Sequence, residues 1–170
     1  KGPGAMHAPW LISLAAGLVV GGLSQVSRLC TVGGFRDLFL FKKSILIFGY
    51  LAVLIGVFVV NISFGNFHLG FENQPIAHTD GLWNFLGMAL AGFCSVLLGG
   101  CPLRQLIMTG EGNSDSAITV LGLAAGAAFA HNFGLAASGA GPTLNGEIAV
   151  GVGFVVALII AILNTKRANA

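Results

Sequence analysis

Charged side chains are nearly missing from this chain. It has 8 Lys and Arg against 6 Asp and Glu in 170 residues, or 8%, where soluble domains carry roughly 25%. That scarcity excludes an ordinary soluble domain, and a formal net charge of +2 is too small to point to a nucleic-acid partner. Cysteine is scarce as well. None of the 3 cysteines forms a Cys-x-x-Cys pair or stands at zinc spacing from histidine, so neither a disulfide framework nor a metal site is expected. Cys94 and Cys101 lie roughly two helical turns apart, but Gly99-Gly100 interrupts any face they would share. Cofactor motifs are absent: Gly110-x-Gly112 is too short for a nucleotide fingerprint. No serine elbow of the Gly-x-Ser-x-Gly type lies in an apolar run, which argues against intramembrane serine proteolysis.

What the chain has in quantity is apolar surface, at 55% of residues, and 26 glycines. The length suits several spans of roughly 20 residues. Glycine lets membrane helices approach closely and permits broken ones. A first span runs from Trp10 to about Val26, with Pro9 at its start, Trp10 at the interface and a Gly17-x-x-x-Gly21 packing face. Ser44–Ser63 forms a second, apolar all round, and Gly81–Leu98 a third, with Trp83 near its start. A fourth covers Ser114 to about Ala137, opened by an Asn113 cap. Glu147–Leu163 is the fifth, followed by a basic tail. Between spans lie a polar loop over 64–80, with His68, Glu72, Asn73, Gln74, Pro75 and His78, and a Gly-rich turn over 138–146. The two loop histidines lack ligand spacing and read as solvated surface. The chain opens at Lys1 rather than Met and reads as a fragment, a processed chain or a tagged form; nothing in this opening has the pattern of a signal peptide.

Two polar interruptions break this pattern, and they match. Arg28 to Phe41 holds Cys30, then a short helix with Arg36 and Asp37; Gly99 to Asn113 holds Cys101, Pro102 and Arg104 and ends on Gly110-Glu111-Gly112-Asn113. Each follows a glycine-rich apolar helix. Irregular backbone at membrane depth is tolerated only where protein buries it or a cavity borders it, and one such break per repeat points to a transport site. The expected fold is therefore an all-α integral membrane protein. It has about five transmembrane helices plus two short re-entrant or broken helices carrying the cysteine loops. One membrane domain spans 1–170, with repeat 1 over about 9–63, repeat 2 over about 81–137 and a final span over about 147–163. If each short helix returns to its own side, Lys42, Lys43, Lys166 and Arg167 share one face, which the positive-inside rule makes cytoplasmic.

Cys30 and Cys101 each stand just before a short helix. Free N–H groups and a partial positive charge at such a helix start suit an anion, and a thiol there can donate a weak S–H hydrogen bond to soft sulfur or selenium. Arg28 and Arg104 read either as a positive funnel toward the pair or as capping and snorkelling groups. Arg36–Asp37 reads as a structural pair. Cys94, inside the third span without a break of its own, reads chiefly as a small buried apolar residue. Glu111 braces its loop or couples protons. His131 and Asn132 either line the pathway or form a satisfied polar pair at a span end. A thiol enzyme of sulfur or selenium transfer, with Cys30 or Cys101 as nucleophile and His131 as base, is one alternative; a non-transporting scaffold half is another.

These stretches, Arg28-Leu29-Cys30-Thr31-Val32-Gly33-Gly34-Phe35-Arg36-Asp37-Leu38, Gly99-Gly100-Cys101-Pro102-Leu103-Arg104-Gln105-Leu106-Ile107, Gly110-Glu111-Gly112-Asn113 and Ala130-His131-Asn132-Phe133-Gly134, resemble the YeeE/YedE family of sulfur-transport membrane proteins. The nearest likeness is to its YedE-like branch linked to selenium metabolism, and it runs from about Met6 to Leu163. The resemblance implies a multi-pass protein of the inner (cytoplasmic) membrane, no enzyme activity and no cofactor. It implies import of a thiosulfate-like or selenium-containing anion through an hourglass-shaped body, handed along by S–H bonds from inward-dipping loops. Cys30 matches the loop cysteine after an arginine, Cys101 the Gly-Cys loop cysteine, and Cys94 no loop motif. Members usually have two related halves, so this chain resembles the C-terminal one and implies an N-terminal half or a second copy as partner. Pro102-Leu103-Arg104 stands where thiosulfate importers tend to have small and hydroxyl residues, which leaves room for a selenium species.

Overall fold

The computed structural model describes residues 9–67, 69–70 and 78–168; the sequence expectations for His68, Glu72, Asn73, Gln74 and Pro75 fall outside them. Seven helices account for most of the described chain: α1 (Trp10–Ser27), α2 (Thr31–Phe41), α3 (Ile45–Ser63), α4 (Gly81–Leu97), α5 (Pro102–Gly110), α6 (Ser114–Asn132) and α7 (Leu144–Ala168). Among the described residues no strand forms beyond an isolated bridge between Ser138 and Gly141. Local chemistry sets most of the starts. The Asp80 carboxylate accepts from the Trp83 N–H at 3.4 Å to open α4, and the Asn113 side chain accepts from the Ser116 N–H at 2.9 Å to open α6, each satisfying a donor that has no partner within the helix.

Four stretches are long and apolar enough to cross a membrane: Trp10–Phe41, Ile45–Ser63, Gly81–Gly110 and Leu144–Thr165. The chain is an all-α membrane protein. The fourth span expected from sequence is helical as α6 but is not among these four, since Asp115, His131 and Asn132 polarise its ends and alanine and glycine fill its middle. It also stops at Asn132 rather than near Ala137, because the Leu135 N–H turns back to the Ala130 carbonyl at 2.9 Å and closes the helix. The last helix begins earlier than expected, at Leu144, and runs on to Ala168 through the basic tail.

The helices touch one another sparingly. The accessible surface is 12807 Å², against roughly 7,900 Å² for a compact soluble monomer of this mass. Not one residue of α3 is buried. Large apolar side chains such as Leu18, Val26, Phe48 and Phe85 stand in the open, as they do when lipid or further protein takes the place of water. The internal contacts that do form are paired: α2 lies on α3 and α5 on α6, while α1 reaches α5 and α2 reaches α4. Each short helix thus packs on the helix that follows it and also meets the long helix of the other cysteine segment. α7 covers α4.

Side-chain hydrogen bonds hold the corner between α6 and α7 together. The Thr143 hydroxyl donates to the Gly134 carbonyl at 2.8 Å and accepts from the Gly146 N–H at 3.0 Å, and the Asn145 amide donates to the Phe133 carbonyl at 3.2 Å. A methyl group at Gly146 would lie 2.6 Å from the Leu135 carbonyl oxygen, whereas one at Gly153 would meet only the far end of the Leu90 side chain. Gly146→Ala is therefore expected to lower the unfolding free energy by about 1–3 kcal/mol, read as loss of helical circular dichroism during titration with SDS. Gly153→Ala should change it by less than about 0.5 kcal/mol.

Candidate functional site

Two helix endings of the same construction build the site. At the end of α1, Arg28 takes a left-handed conformation (φ 51°), its N–H bonds the Gln25 carbonyl and the Leu29 N–H bonds the Ser24 carbonyl, both at 3.2 Å. At the end of α4, Gly99 is left-handed (φ 74°), its N–H bonds the Val96 carbonyl and the Gly100 N–H bonds the Ser95 carbonyl, both at 3.1 Å. This is the paired closure that lets a chain leave a helix within one residue. Ser24, Ser95 and both cysteines are buried. In each segment the cysteine stands two residues beyond the left-handed position and becomes the N-cap of the short helix. Glycine is suited to that position; Arg28 holds it without the glycine's freedom.

The two turns then meet. The Cys30 sulfur accepts from the Gly33 N–H at 3.3 Å, capping α2. At α5, Pro102 occupies the first turn, where a missing N–H costs nothing, and no side-chain cap forms. The Cys101 thiol instead faces the Cys30 thiol, the N–H and hydroxyl of Thr31 at the start of α2, and the Arg104 N–H of its own helix. Cys101 therefore sits against the N-terminus of α2, where N–H groups without helical partners cluster, and the two cysteine segments share one polar focus. All three cysteines are free thiols.

Arg104 links α5 to α1. One guanidinium nitrogen lies 3.4 Å from the Gln25 side-chain oxygen on α1, and another 3.7 Å from the Glu111 carboxylate at the end of α5. Glu111 thus lies at ion-pair distance from Arg104. Gln25 escaped the sequence reading, because nothing local marks a glutamine as the partner of an arginine 79 residues away. Gln105 escaped it too: almost fully buried at 4% exposure, its amide donates to the Leu98 carbonyl at 2.8 Å and ties α5 back to the end of α4. A glutamine beside an arginine in an otherwise apolar chain is the available signal.

The other candidates lie elsewhere. Arg28 is exposed, and its side chain has no partner among the described residues. Arg36 pairs with its neighbour Asp37 at 2.9 Å on an exposed face. Cys94 borders a large, open apolar groove of about 1270 Å³ lined by α4, α6 and α7, with Phe129, Ile148 and Val152 in its wall. His131 is exposed at the far end of α6, and Asn132 spends its amide on the Ala128 carbonyl of its own helix at 2.9 Å; neither joins the cysteine pair. His78 is half-buried rather than solvated, and its Nδ1 has no hydrogen-bond partner among the described residues. No group of three or more potential metal ligands occurs among the described residues.

Against known proteins, residues 26–167 match the family model described as Sulphur transport. The chain is also 30% identical over 111 residues to the Escherichia coli (strain K12) protein named Thiosulfate transporter TsuA; that match takes in 63% of this chain and 30% of the relative, so the chain spans about a third of the curated relative's length. No solved structure matches. Replacing Gln105 by Leu removes the bond to Leu98 at nearly constant volume. The expected loss is about 1–3 kcal/mol of stability, measurable by the same SDS titration.

Proposed function

Because the chain belongs to the sulphur transport family, we propose that it forms part of a membrane permease for a sulfur- or selenium-containing anion of the thiosulfate type, seated in the inner (cytoplasmic) membrane. The observation that carries the reading is the meeting of Cys30 and Cys101 at the start of α2. Two thiols and a set of helix N-terminal N–H groups at one point can hold a soft anion without a metal. The contacts are weak individually, which conduction requires, since a site must release what it admits. Arg104, which bonds Gln25 and lies at ion-pair distance from Glu111, supplies positive charge beside the pair, and Arg28 supplies an unpaired one at the preceding turn.

The reading extends to the repeat. The matching closures at Arg28 and Gly99, and the reciprocal contacts of α1 with α5 and α2 with α4, support two equivalent re-entrant segments over about 9–63 and 81–137, with the last long helix outside the repeat. The pathway is completed by further protein, either an N-terminal half or a second copy, in keeping with the large uncovered apolar surface. An enzymatic use of the thiols needs a base beside them; His131, the membrane-depth histidine, stands at the far end of α6, which favours permeation over sulfur transfer.

The test is uptake of thiosulfate, sulfite and selenite into cells expressing wild type, Cys30→Ala, Cys101→Ala or Cys94→Ala. For the transported anion, either loop substitution should reduce uptake by about 10-fold or more, the equivalent of roughly 1.4 kcal/mol, with Cys94→Ala close to wild type. Full uptake by both loop variants at wild-type expression would sink the reading. A second measurement addresses the proton on sulfur. Conduction through S–H donors should not rise with alkaline pH, because a thiolate repels the anion and donates nothing; uptake that climbs as the thiols ionise contradicts the mechanism.

A further inference from the structure

The thiol pair has a chemistry that anion passage does not use. Cys30 and Cys101 are both buried, both unbridged, and face one another across the junction of two segments far apart in sequence. When one of two neighbouring thiols is held in a mixed disulfide, the other is placed to attack it and expel the outside thiol. The remaining cysteine, Cys94, lines the open apolar groove between α4, α6 and α7 and is no part of the junction. We propose that Cys30 and Cys101 form a reversible dithiol–disulfide couple, closed by small disulfide-containing oxidants, and that closure shuts the pathway.

The exchange balances in two steps. The Cys101 sulfur, as thiolate, attacks one sulfur of a small disulfide RS–SR; a Cys101–SR mixed disulfide forms and one RS⁻ leaves. The Cys30 sulfur, as thiolate, then attacks the Cys101 sulfur; the Cys30–Cys101 bond forms and the second RS⁻ leaves. Two cysteines lose two electrons, RS–SR gains them, and the two thiol protons pass to the two leaving thiolates. The Gly33 and Thr31 N–H groups beside the sulfurs donate to the negative charge that sulfur carries in each step. The product has no S–H, so both proposed donors are lost together, and the start of α2 is tied covalently to the start of α5. Only this loss of passage rests on the permease reading; bond formation does not.

The experiment separates the two. The full chain in lipid nanodiscs is treated with 2-hydroxyethyl disulfide, denatured, and its free thiols are counted by maleimide mass shift. Wild type should fall from 3 free thiols to the Cys94 thiol alone without gaining hydroxyethylthio mass, and should recover fully with dithiothreitol. In Cys30→Ala and Cys101→Ala the surviving partner should keep a stable hydroxyethylthio adduct instead, because no second thiol is present to expel it. A stable adduct in wild type, an unreacted pair, or a bridge to Cys94 overturns the proposal. In proteoliposomes, bridged wild type should lose uptake of the transported anion by about 10-fold and regain it on reduction, with Cys94→Ala behaving the same. A bridge that forms while uptake continues overturns the shut-off. If no anion is taken up even by reduced protein, the permease reading fails while the thiol count still decides the couple.

Discussion

A backbone inside a bilayer has no water to turn to, so each place where a helix stops must satisfy its own hydrogen-bonding groups. The two cysteine turns answer this in the same way. A left-handed residue sends two successive N–H groups back onto the last turn of the long helix, using Ser24 and Gln25 in one case and Ser95 and Val96 in the other. The chain reverses within a few residues, and the next helix begins on a cysteine. Everything proposed for function depends on this closure. Without it the thiols would not stand at helix starts, and the short helices would not aim their first turns at a common point.

The second element is reciprocity. α5 leans on α1 and α2 on α4, so each short helix is held partly by the other segment. Arg104 expresses this at the level of a side chain, reaching Gln25 in the last turn of α1 while its own helix carries Cys101. Gln105 adds a tie within its segment, through the Leu98 carbonyl. The polar groups near the thiols are thus employed by one another, in surroundings where an unpaired one is costly. Arg28 is the exception, left open beside the turn it forms.

Much of this was legible in the sequence, and the reasons are local. Glycine, proline and cysteine punctuate an otherwise apolar chain, so the start at Trp10, the breaks after Ser27 and Leu97 and the short helices after Cys30 and Cys101 follow from residues within a turn of each boundary. Asn113 announced α6 in the same way. The far boundaries were less legible. Alanine continues a helix or a loop equally well after Asn132, and Asn164 to Ala168 contains good helix formers that the tail's charge disguised as a loose end. Long-range hydrogen bonds were illegible. Gln25 and Arg104 come together through helix packing, which leaves no trace in either neighbourhood, whereas the two matching breaks already group Cys30 with Cys101 in the sequence.

Reciprocal support has a consequence for biogenesis. A membrane protein is delivered to the bilayer from its N-terminus onward, and earlier segments wait for later ones. When α1 and α2 first arrive, α4 and α5 have not been made, so the Cys30 turn has neither the cover of α4 nor its opposite sulfur, and Gln25 has no arginine. The first segment reaches its final form only after the chain has been synthesised through about Gly110.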